Sequence, residues 1–206
     1  MPYSTESSTS PNPDATQPIH RLRGIVYTAL FAALFIAFSW VQIPLGFSPV
    51  PVTLQTLAVM LAGGLLGATY GFWSIAIVVL LTAVGLPLLE GRGGLSTVFG
   101  PTGGYIWMFP ISALLIGFVS DRLFRGSGRL NAWRIAVLAA AIALFGVVFP
   151  YVAGVPWLAY KLDMSFAKAM AAGCYPFIPG DTIKGVAAVA IIALLRPLLP
   201  GLRGRG

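Results

Sequence analysis

The sequence predicts an all-α membrane protein with six transmembrane helices and with both termini on the cytoplasmic side. Of the 206 residues, 57% are hydrophobic and only 9% are charged, whereas a soluble domain carries about 25% charged residues. Apolar runs of helix length alternate with connecting segments, and Gly and Pro are frequent, as they are in transmembrane helices. The basic residues concentrate in alternate connections, which predicts the orientation.

Six apolar runs follow one another along the chain. A helix needs about 20 residues to cross a hydrocarbon core of about 30 Å. The longest run, 54–85, contains no charged residue and would be about 48 Å long as one helix. Because four glycines interrupt it, we predict two helices joined by a tight turn. The predicted helices are 24–41, 54–67, 70–86, 104–120, 133–155 and 182–199.

The chain divides into one membrane domain and two short tails. Residues 1–20 are rich in Ser, Thr and Pro, which is typical of a disordered segment. The membrane domain covers 21–200, and residues 201–206 form a basic tail. With the N-terminus inside, nine of the 13 basic residues lie in cytoplasmic segments, which fits an even number of spans. This distribution accounts for the net charge of +7 without a nucleic-acid partner.

The sequence contains no motif for common catalytic or cofactor chemistry. It has no P-loop, no HExxH and no Cys/His cluster, and GRGG at 91–94 lacks the spacing of a dinucleotide fingerprint. We therefore predict no catalytic residue, cofactor or metal site. Two other classes stay open beside a binding subunit. A membrane-embedded enzyme would need a second acid opposite Asp181, and an ion-coupled carrier would typically show repeats and charges within its spans.

Polar residues that could bind a ligand fall in segments on the predicted outer side. Thr53 and Gln55 begin the second helix, and Arg92 is the only arginine on that side. Tyr105 follows the turn GPTGGY. Each has a structural alternative: Thr53 could cap its helix, Arg92 could pair with Glu90 in solvent, and Tyr105 could anchor the chain at the membrane interface.

The stretch PFIPGDTIKG, 176–185, adds an acid and a base at the head of the last apolar run. Pro179 and Gly180 predict a turn that makes Asp181 the N-cap of the helix. Lys184 then lies in the first turn, where a cation opposes the helix dipole. Pairing with Asp181 alone would leave donors of Lys184 unused. The stretch therefore favours a ligand with an anionic group and hydrogen-bonding groups.

Small residues form a row along the first helix. Ala29, Ala33 and Ala37 recur every four residues, and such rows let helices approach closely in lipid. By composition alone, packing within this chain is the favoured interpretation. Gly63, Gly67 and Gly71 form a similar row, which we assign to internal packing.

Three long segments resemble the BioY family, the biotin-binding S components of energy-coupling-factor (ECF) transporters. They are SPVPVTLQTLAVMLAGGLLG, GLPLLEGRGGLSTVFGPTGGYIWMFPISALLIG and PFIPGDTIKGVAA, and the resemblance covers roughly residues 22–199. It implies a six-helix S-component fold in a bacterial inner membrane. It also implies that biotin is captured from the outer side and delivered together with a coupling transmembrane subunit and two ATPase subunits.

The resemblance also implies roles for individual residues. It supports Asp181, Lys184 and Arg92 as positions that contact biotin. From the residues themselves, Gln55 and Thr53 could complete the polar contacts and Tyr105 could form part of the wall. It further implies that the small-residue row is the face that docks on the coupling subunit. The docking residues would be Ala29, Ala33 and Ala37.

Overall fold

The computed structural model describes residues 17–125 and 130–199. Two short strands, β1 (Gln42–Ile43) and β2 (Val52–Thr53), pair antiparallel. The chain also contains a π-helical stretch, Ile142–Val148, and a 3-10 turn, Arg196–Leu198. The α-helices are α1 (Gln17–Trp40), α2 (Gln55–Leu66), α3 (Ala68–Val84), α4 (Leu95–Val98), α5 (Gly103–Leu123), α6 (Ala132–Ala141), α7 (Phe149–Lys161), α8 (Phe166–Gly173) and α9 (Ile178–Leu195).

Four helical segments of the described chain are long and apolar enough to cross a membrane. They are Leu22–Trp40, Gly103–Leu123, Ala132–Lys161 and Ile178–Leu198. The shorter apolar helices α2 and α3 lie between the first two in sequence. The predicted all-α membrane class is thereby confirmed.

The predicted division of the longest apolar run is confirmed, and a single residue separates α2 from α3. Gly67 has φ +84°, a conformation that residues with a Cβ adopt at a cost. A Cβ there would also lie 2.2 Å from Asp121 Oδ1. On Gly63 a Cβ would lie 2.4 Å from the carbonyl oxygen of Ala113, and on Gly71 it would lie 2.8 Å from that of Ala62. The glycine row therefore serves internal packing, as predicted.

The centre of the bundle is α5, against which α2, α3 and α7 pack. Two clusters of buried apolar residues fill the interior. One includes Phe35, Tyr105 and Phe109, and the other includes Met60 and Ile192. Since lipid is as apolar as these side chains, close packing supplies the energy of helix association.

Several predicted boundaries are wrong. The helix α1 begins at Gln17, within the predicted tail 1–20, while residues 1–16 and the tail 201–206 lie outside the described residues. The helix predicted to end at residue 155 continues to Lys161. It does so with Pro156 inside α7, because in a membrane bundle neighbouring helices and side chains can satisfy the backbone groups that a proline frees.

Candidate functional site

A cavity of ≈ 400 Å³ lies among the segment before α2, the connection between α3 and α5, α7 and the start of α9. Its wall combines aromatic rings, glycine backbone and a few polar groups, as small-molecule sites do. The cavity brings together all the ligand-binding residues predicted from the sequence. They are Thr53, Gln55, Arg92, Tyr105, Asp181 and Lys184.

Asp181 is the centre of a hydrogen-bond network in the cavity wall. Its carboxylate is buried, and Lys184 Nζ lies 2.8 Å from Oδ1. The hydroxyl of Thr56 donates to the same oxygen over 3.0 Å, and the hydroxyl of Tyr151 donates to Oδ2. Charge-assisted hydrogen bonds of this kind are about twice as strong as neutral ones. The network therefore fixes the orientation of the carboxylate toward the cavity.

Lys184 is hydrogen-bonded more completely than we predicted. Besides Asp181, its Nζ donates to the carbonyl oxygen of Thr53 over 2.6 Å and to Thr56 Oγ1 over 3.3 Å. An ammonium group has three donors, so the expectation that donors would be left unused is wrong. Thr53 and Lys184 are 131 residues apart, so their spacing in the sequence gives no sign of this contact. Lys184 is thus a ligand candidate through its place in the wall, and not through unsatisfied donors.

The predicted helix cap at Asp181 is also wrong. The helix α9 begins at Ile178, with Phe177 as its N-cap, and the backbone N–H of Asp181 donates to the carbonyl of Phe177 over 2.8 Å. Pro179 lies in the first turn instead of ending a preceding one, because the missing N–H of proline is not needed there. The negative charge of Asp181 still lies in the first turn, which the helix dipole favours.

Thr53 and Gln55 form the start of α2. The hydroxyl of Thr53 accepts from the backbone N–H of Gln55 over 3.3 Å and donates to Gln55 Oε1 over 3.2 Å. The alternative that Thr53 caps the helix is wrong, because the N-cap is Leu54 and no side chain caps it; Thr53 precedes the cap and lines the cavity. Gln55 is buried, and within the described residues its Nε2 group has no hydrogen-bond partner. This amide is a donor available to a ligand.

Arg92 closes a tight turn at the rim of the cavity. Leu89 and Arg92 exchange both backbone hydrogen bonds, over 3.3 Å and 2.8 Å, around Glu90 (φ +56°) and Gly91 (φ +72°). Ser39 of α1 holds the turn, since its hydroxyl accepts from the N–H of Glu90 over 3.1 Å. The side chain of Arg92 is exposed, and in the part of the chain that the structure describes it forms no salt bridge or hydrogen bond. The alternative of a direct ion pair with Glu90 is therefore not found among the described residues, although the charge of Arg92 still acts on the Glu90 carboxyl.

Tyr105 lies in the cavity wall and not at the membrane interface. It is buried, and its hydroxyl donates to the carbonyl of Gly173 over 2.8 Å. Its ring packs edge-to-face on Tyr151 at a centroid distance of 6.2 Å. The interfacial-anchor alternative is wrong for this residue.

The sequence analysis missed two residues of the network. Thr56 and Tyr151 both donate to Asp181 and both line the cavity. Tyr151 carried a usable signal, because a tyrosine hydroxyl within an apolar helix must find a hydrogen-bond partner. The identity of that partner could not be inferred, since Asp181 is 30 residues away.

The alanine row of α1 lies on the outside of the bundle. Ala29, Ala33 and Ala37 are all exposed. The alternative of packing within this chain, which composition alone favoured, is therefore wrong.

A bundle of apolar helices with a polar, aromatic-lined cavity at one end defines a membrane protein that binds a small molecule. The model of the BioY family matches residues 9–201, and the chain belongs to the BioY family.

Similar proteins support this membership. The biotin transporter BioY of Rhizobium etli is 43% identical over 186 residues, covering 86% of this chain and 97% of the relative. The biotin transporter BioY of Lactococcus lactis subsp. cremoris is 34% identical over 180 residues, covering 85% and 92%. The crystal structure of the S-component for biotin from an ECF-type ABC transporter is similar with a TM-score of 0.79 and 32% identity, covering 94% of this chain and 97% of that one.

Proposed function

We propose that this chain is the biotin-binding subunit of an ECF transporter. It binds biotin in the cavity and delivers it across the membrane together with a coupling transmembrane subunit and two ATPase subunits. The observation that carries the proposal is the convergence of Asp181, Lys184, Gln55 and Arg92 on one cavity. That cavity lies in a chain similar to the S-component for biotin over 94% of its length.

The chemistry of the cavity suits biotin. The ureido ring has two N–H donors and one carbonyl acceptor, which match the carboxylate of Asp181 and the amide of Gln55. The bicyclic ring is apolar and suits a wall that contains Tyr105 and Tyr151. The valerate carboxylate suits Arg92, whose guanidinium has no salt-bridge partner among the described residues. No cofactor is needed for this binding.

The same network argues against a two-carboxylate enzyme. The groups that contact the carboxylate of Asp181 are an ammonium and two hydroxyls. Two acids sharing a proton would have to face each other closely. The network is suited to holding a ligand, and we propose no catalytic residue.

We further propose six spans in a bacterial inner membrane, with both termini cytoplasmic. The start of α1 lies near the start of α3, because a Cβ on Gly24 would touch the ring of Tyr70. Arg196, just after α9, pairs with Asp121 at the end of α5, and Asp121 accepts from the N–H of Ala68 at the start of α3. These contacts support placing the beginning and the end of the bundle on one side. Outside labelling of a cysteine at position 125 but not at position 92 would contradict this topology.

We propose that the exposed face formed by Ala29, Ala33 and Ala37 docks on the coupling subunit. Ala33→Leu should leave biotin binding unchanged and reduce co-purification with the coupling subunit, because bulk on this face separates the helices. Ala190→Leu is a matched control, since Ala190 is also exposed but lies on α9. Equal co-purification of both variants would contradict the docking face.

Titration calorimetry on the purified chain tests the biotin proposal. We expect heat of binding for biotin, none for an unrelated vitamin such as thiamine, and no ATP hydrolysis by the chain alone. Arg92→Ala should weaken the binding of biotin and leave the binding of biotin amide, which lacks the carboxylate charge, largely unchanged. A chain that binds thiamine and not biotin would refute the proposal.

A further inference from the structure

The helices α5 and α7 interlock through two aromatic side chains, each received by a glycine of the other helix. Trp157 of α7 lies over Gly104 of α5, where a Cβ would lie 2.5 Å from Trp157 Cβ. Tyr105 of α5 lies over Gly154 of α7, where a Cβ would lie 2.3 Å from Cδ1 and Cε1 of the ring. The indole of Trp157 donates to the carbonyl of Gly100 over 2.8 Å. The contact is therefore reciprocal and anchored by hydrogen bonds.

Of these two aromatic side chains, Tyr105 is the one that lines the cavity. Gly154 lies behind its ring, and Gly173 lies at its hydroxyl, where a Cβ would be 2.5 Å from Oη. The ring of Tyr151 packs against one side of the Tyr105 ring, with 6.2 Å between the two ring centroids. Since the ring is otherwise buried, the open space around it is the cavity itself.

A side chain at position 154 would therefore narrow the cavity. The Cβ of an alanine would be about 1 Å too close to the ring for ordinary van der Waals contact. Interiors are closely packed and do not absorb such a shift in place. The ring would move into the open side and would press on Tyr151, which holds Asp181 through its hydroxyl.

We propose that Gly154, together with Gly173, determines the substrate specificity of the cavity by setting how far the Tyr105 ring stands back from the ligand. This inference rests on the proposed function and deepens it. With glycine at both positions, the cavity accepts a fused bicyclic ring. With a side chain at position 154, it favours a thinner, monocyclic ligand.

The test compares two ligands on the full-length chain in detergent. Biotin has two fused rings, whereas desthiobiotin keeps the ureido ring and the carboxylate but lacks the sulfur that closes the second ring. Gly154→Ala should lower the affinity for biotin by about 10- to 100-fold, the cost of misplacing about one carbon in an apolar pocket. It should lower the affinity for desthiobiotin much less. Gly173→Ala should shift the ratio of the biotin affinity to the desthiobiotin affinity in the same direction by a smaller factor. Its added Cβ would meet only the hydroxyl end of the Tyr105 ring and Leu158.

Two further variants control for general disruption. Gly146 lies in the same helical run as Gly154. The Cβ of Gly146→Ala would lie 2.8 Å from the side chain of Met60, and Met60 is not in the cavity wall. It should lower the melting temperature and leave the affinity ratio unchanged. Adding Tyr105→Leu to Gly154→Ala should restore part of the preference for biotin, because the displaced ring is gone.

The result decides the proposal even if one variant does not fold, because Gly173→Ala then carries the test. Variants that fold and bind both ligands as the wild type does, or that lose both ligands equally, would overturn it. A failure of the proposed function would be distinct, since the wild-type chain itself would then not bind biotin.

Discussion

Two ion pairs lie at the two ends of α9, and the cation of each donates to a backbone carbonyl next to one end of α2. Only one of the pairs lines the cavity. At the cavity end, Lys184 pairs with Asp181 and donates to the carbonyl of Thr53, just before α2. At the opposite end, Arg196 pairs with Asp121 and donates to the carbonyl of Gly64 near the end of α2. The pairs are alike in composition and burial. Their surroundings differ, and the difference shows that an ion pair does not by itself make a binding site.

Further contacts of the two carboxylates explain the difference. Asp181 accepts from the side chains of Thr56 and Tyr151, which line the cavity. Asp121 accepts from the backbone N–H of Ala68, the first residue of α3, over 3.1 Å. It thus stabilises a helix start next to the tight turn at Gly67. We infer that the pair near Gly67 stabilises the fold, whereas the pair in the cavity also holds the ligand site.

Removing either cation gives the largest expected effect. Lys184→Met and Arg196→Met each remove the cation of a largely buried ion pair, since the paired side chains are 8–17% exposed. Each should lower the free energy of unfolding by about 3–5 kcal/mol, measured by thermal or denaturant unfolding in detergent. Of the folded variants, only Lys184→Met should bind biotin more weakly. If Arg196→Met reduced the biotin affinity of the folded protein equally, the distinction between the two pairs would be wrong.

Removing one hydroxyl from each end gives a smaller effect and sharpens the comparison. Tyr151→Phe removes a donor to the carboxylate of Asp181, and a hydrogen bond to a charged group contributes about 1.5–3 kcal/mol. We expect biotin affinity to fall about tenfold or more. Ser120→Ala removes a donor to the carbonyl of Gly64, which should cost about 0.5–1.5 kcal/mol of stability and no affinity. Unchanged calorimetric affinity in Tyr151→Phe would show that Thr56 and Lys184 orient Asp181 without it.

The smallest expected effect concerns pH and the loop at the rim. Burial raises the pKa of the Glu90 carboxyl above its ordinary value of 4.5, and the nearby charge of Arg92 opposes part of this rise. Because the folded state favours the protonated form, this contribution to stability is present below about pH 4.5 and is lost as the pH rises through the raised pKa. The melting temperature of the wild type should therefore fall over this pH range, and that of Glu90→Gln should not. A wild-type and a variant profile that run parallel over this range would rule out the contribution.

Much of the fold was predictable because it follows from local rules. The turn at Gly67 was expected from the length of an uncharged run and its glycines, and the structure has it there. The boundaries near Pro156 and Pro179 were missed, because a proline does not end a helix when it lies in the first turn or when the surrounding membrane bundle satisfies the backbone groups that it frees. Whether such a position exists depends on the packing around it.

The candidate site was predictable as a set of residues and not as a network. Asp181, Arg92 and Gln55 were recognised because polar groups are costly beside apolar helices and so indicate a function. Apart from the pairing of Asp181 with Lys184, their partners were not recognised. Lys184 and the Thr53 carbonyl are 131 residues apart, and Arg196 and Asp121 are 75 apart.

The sequence by itself determined the helical membrane class, the resemblance to the BioY family and the residues that gather at the cavity. These depend on composition and on short-range spacing, which a linear chain carries in full. Only the tertiary structure decided that the Lys184 ammonium is hydrogen-bonded within the chain, that the Arg92 guanidinium forms no hydrogen bond among the described residues, and that Gly154 receives the ring of Tyr105. Those outcomes depend on the distances between segments far apart in the chain. Such distances are set by how the helices pack, because hydrogen bonds and van der Waals contacts act over only a few ångströms.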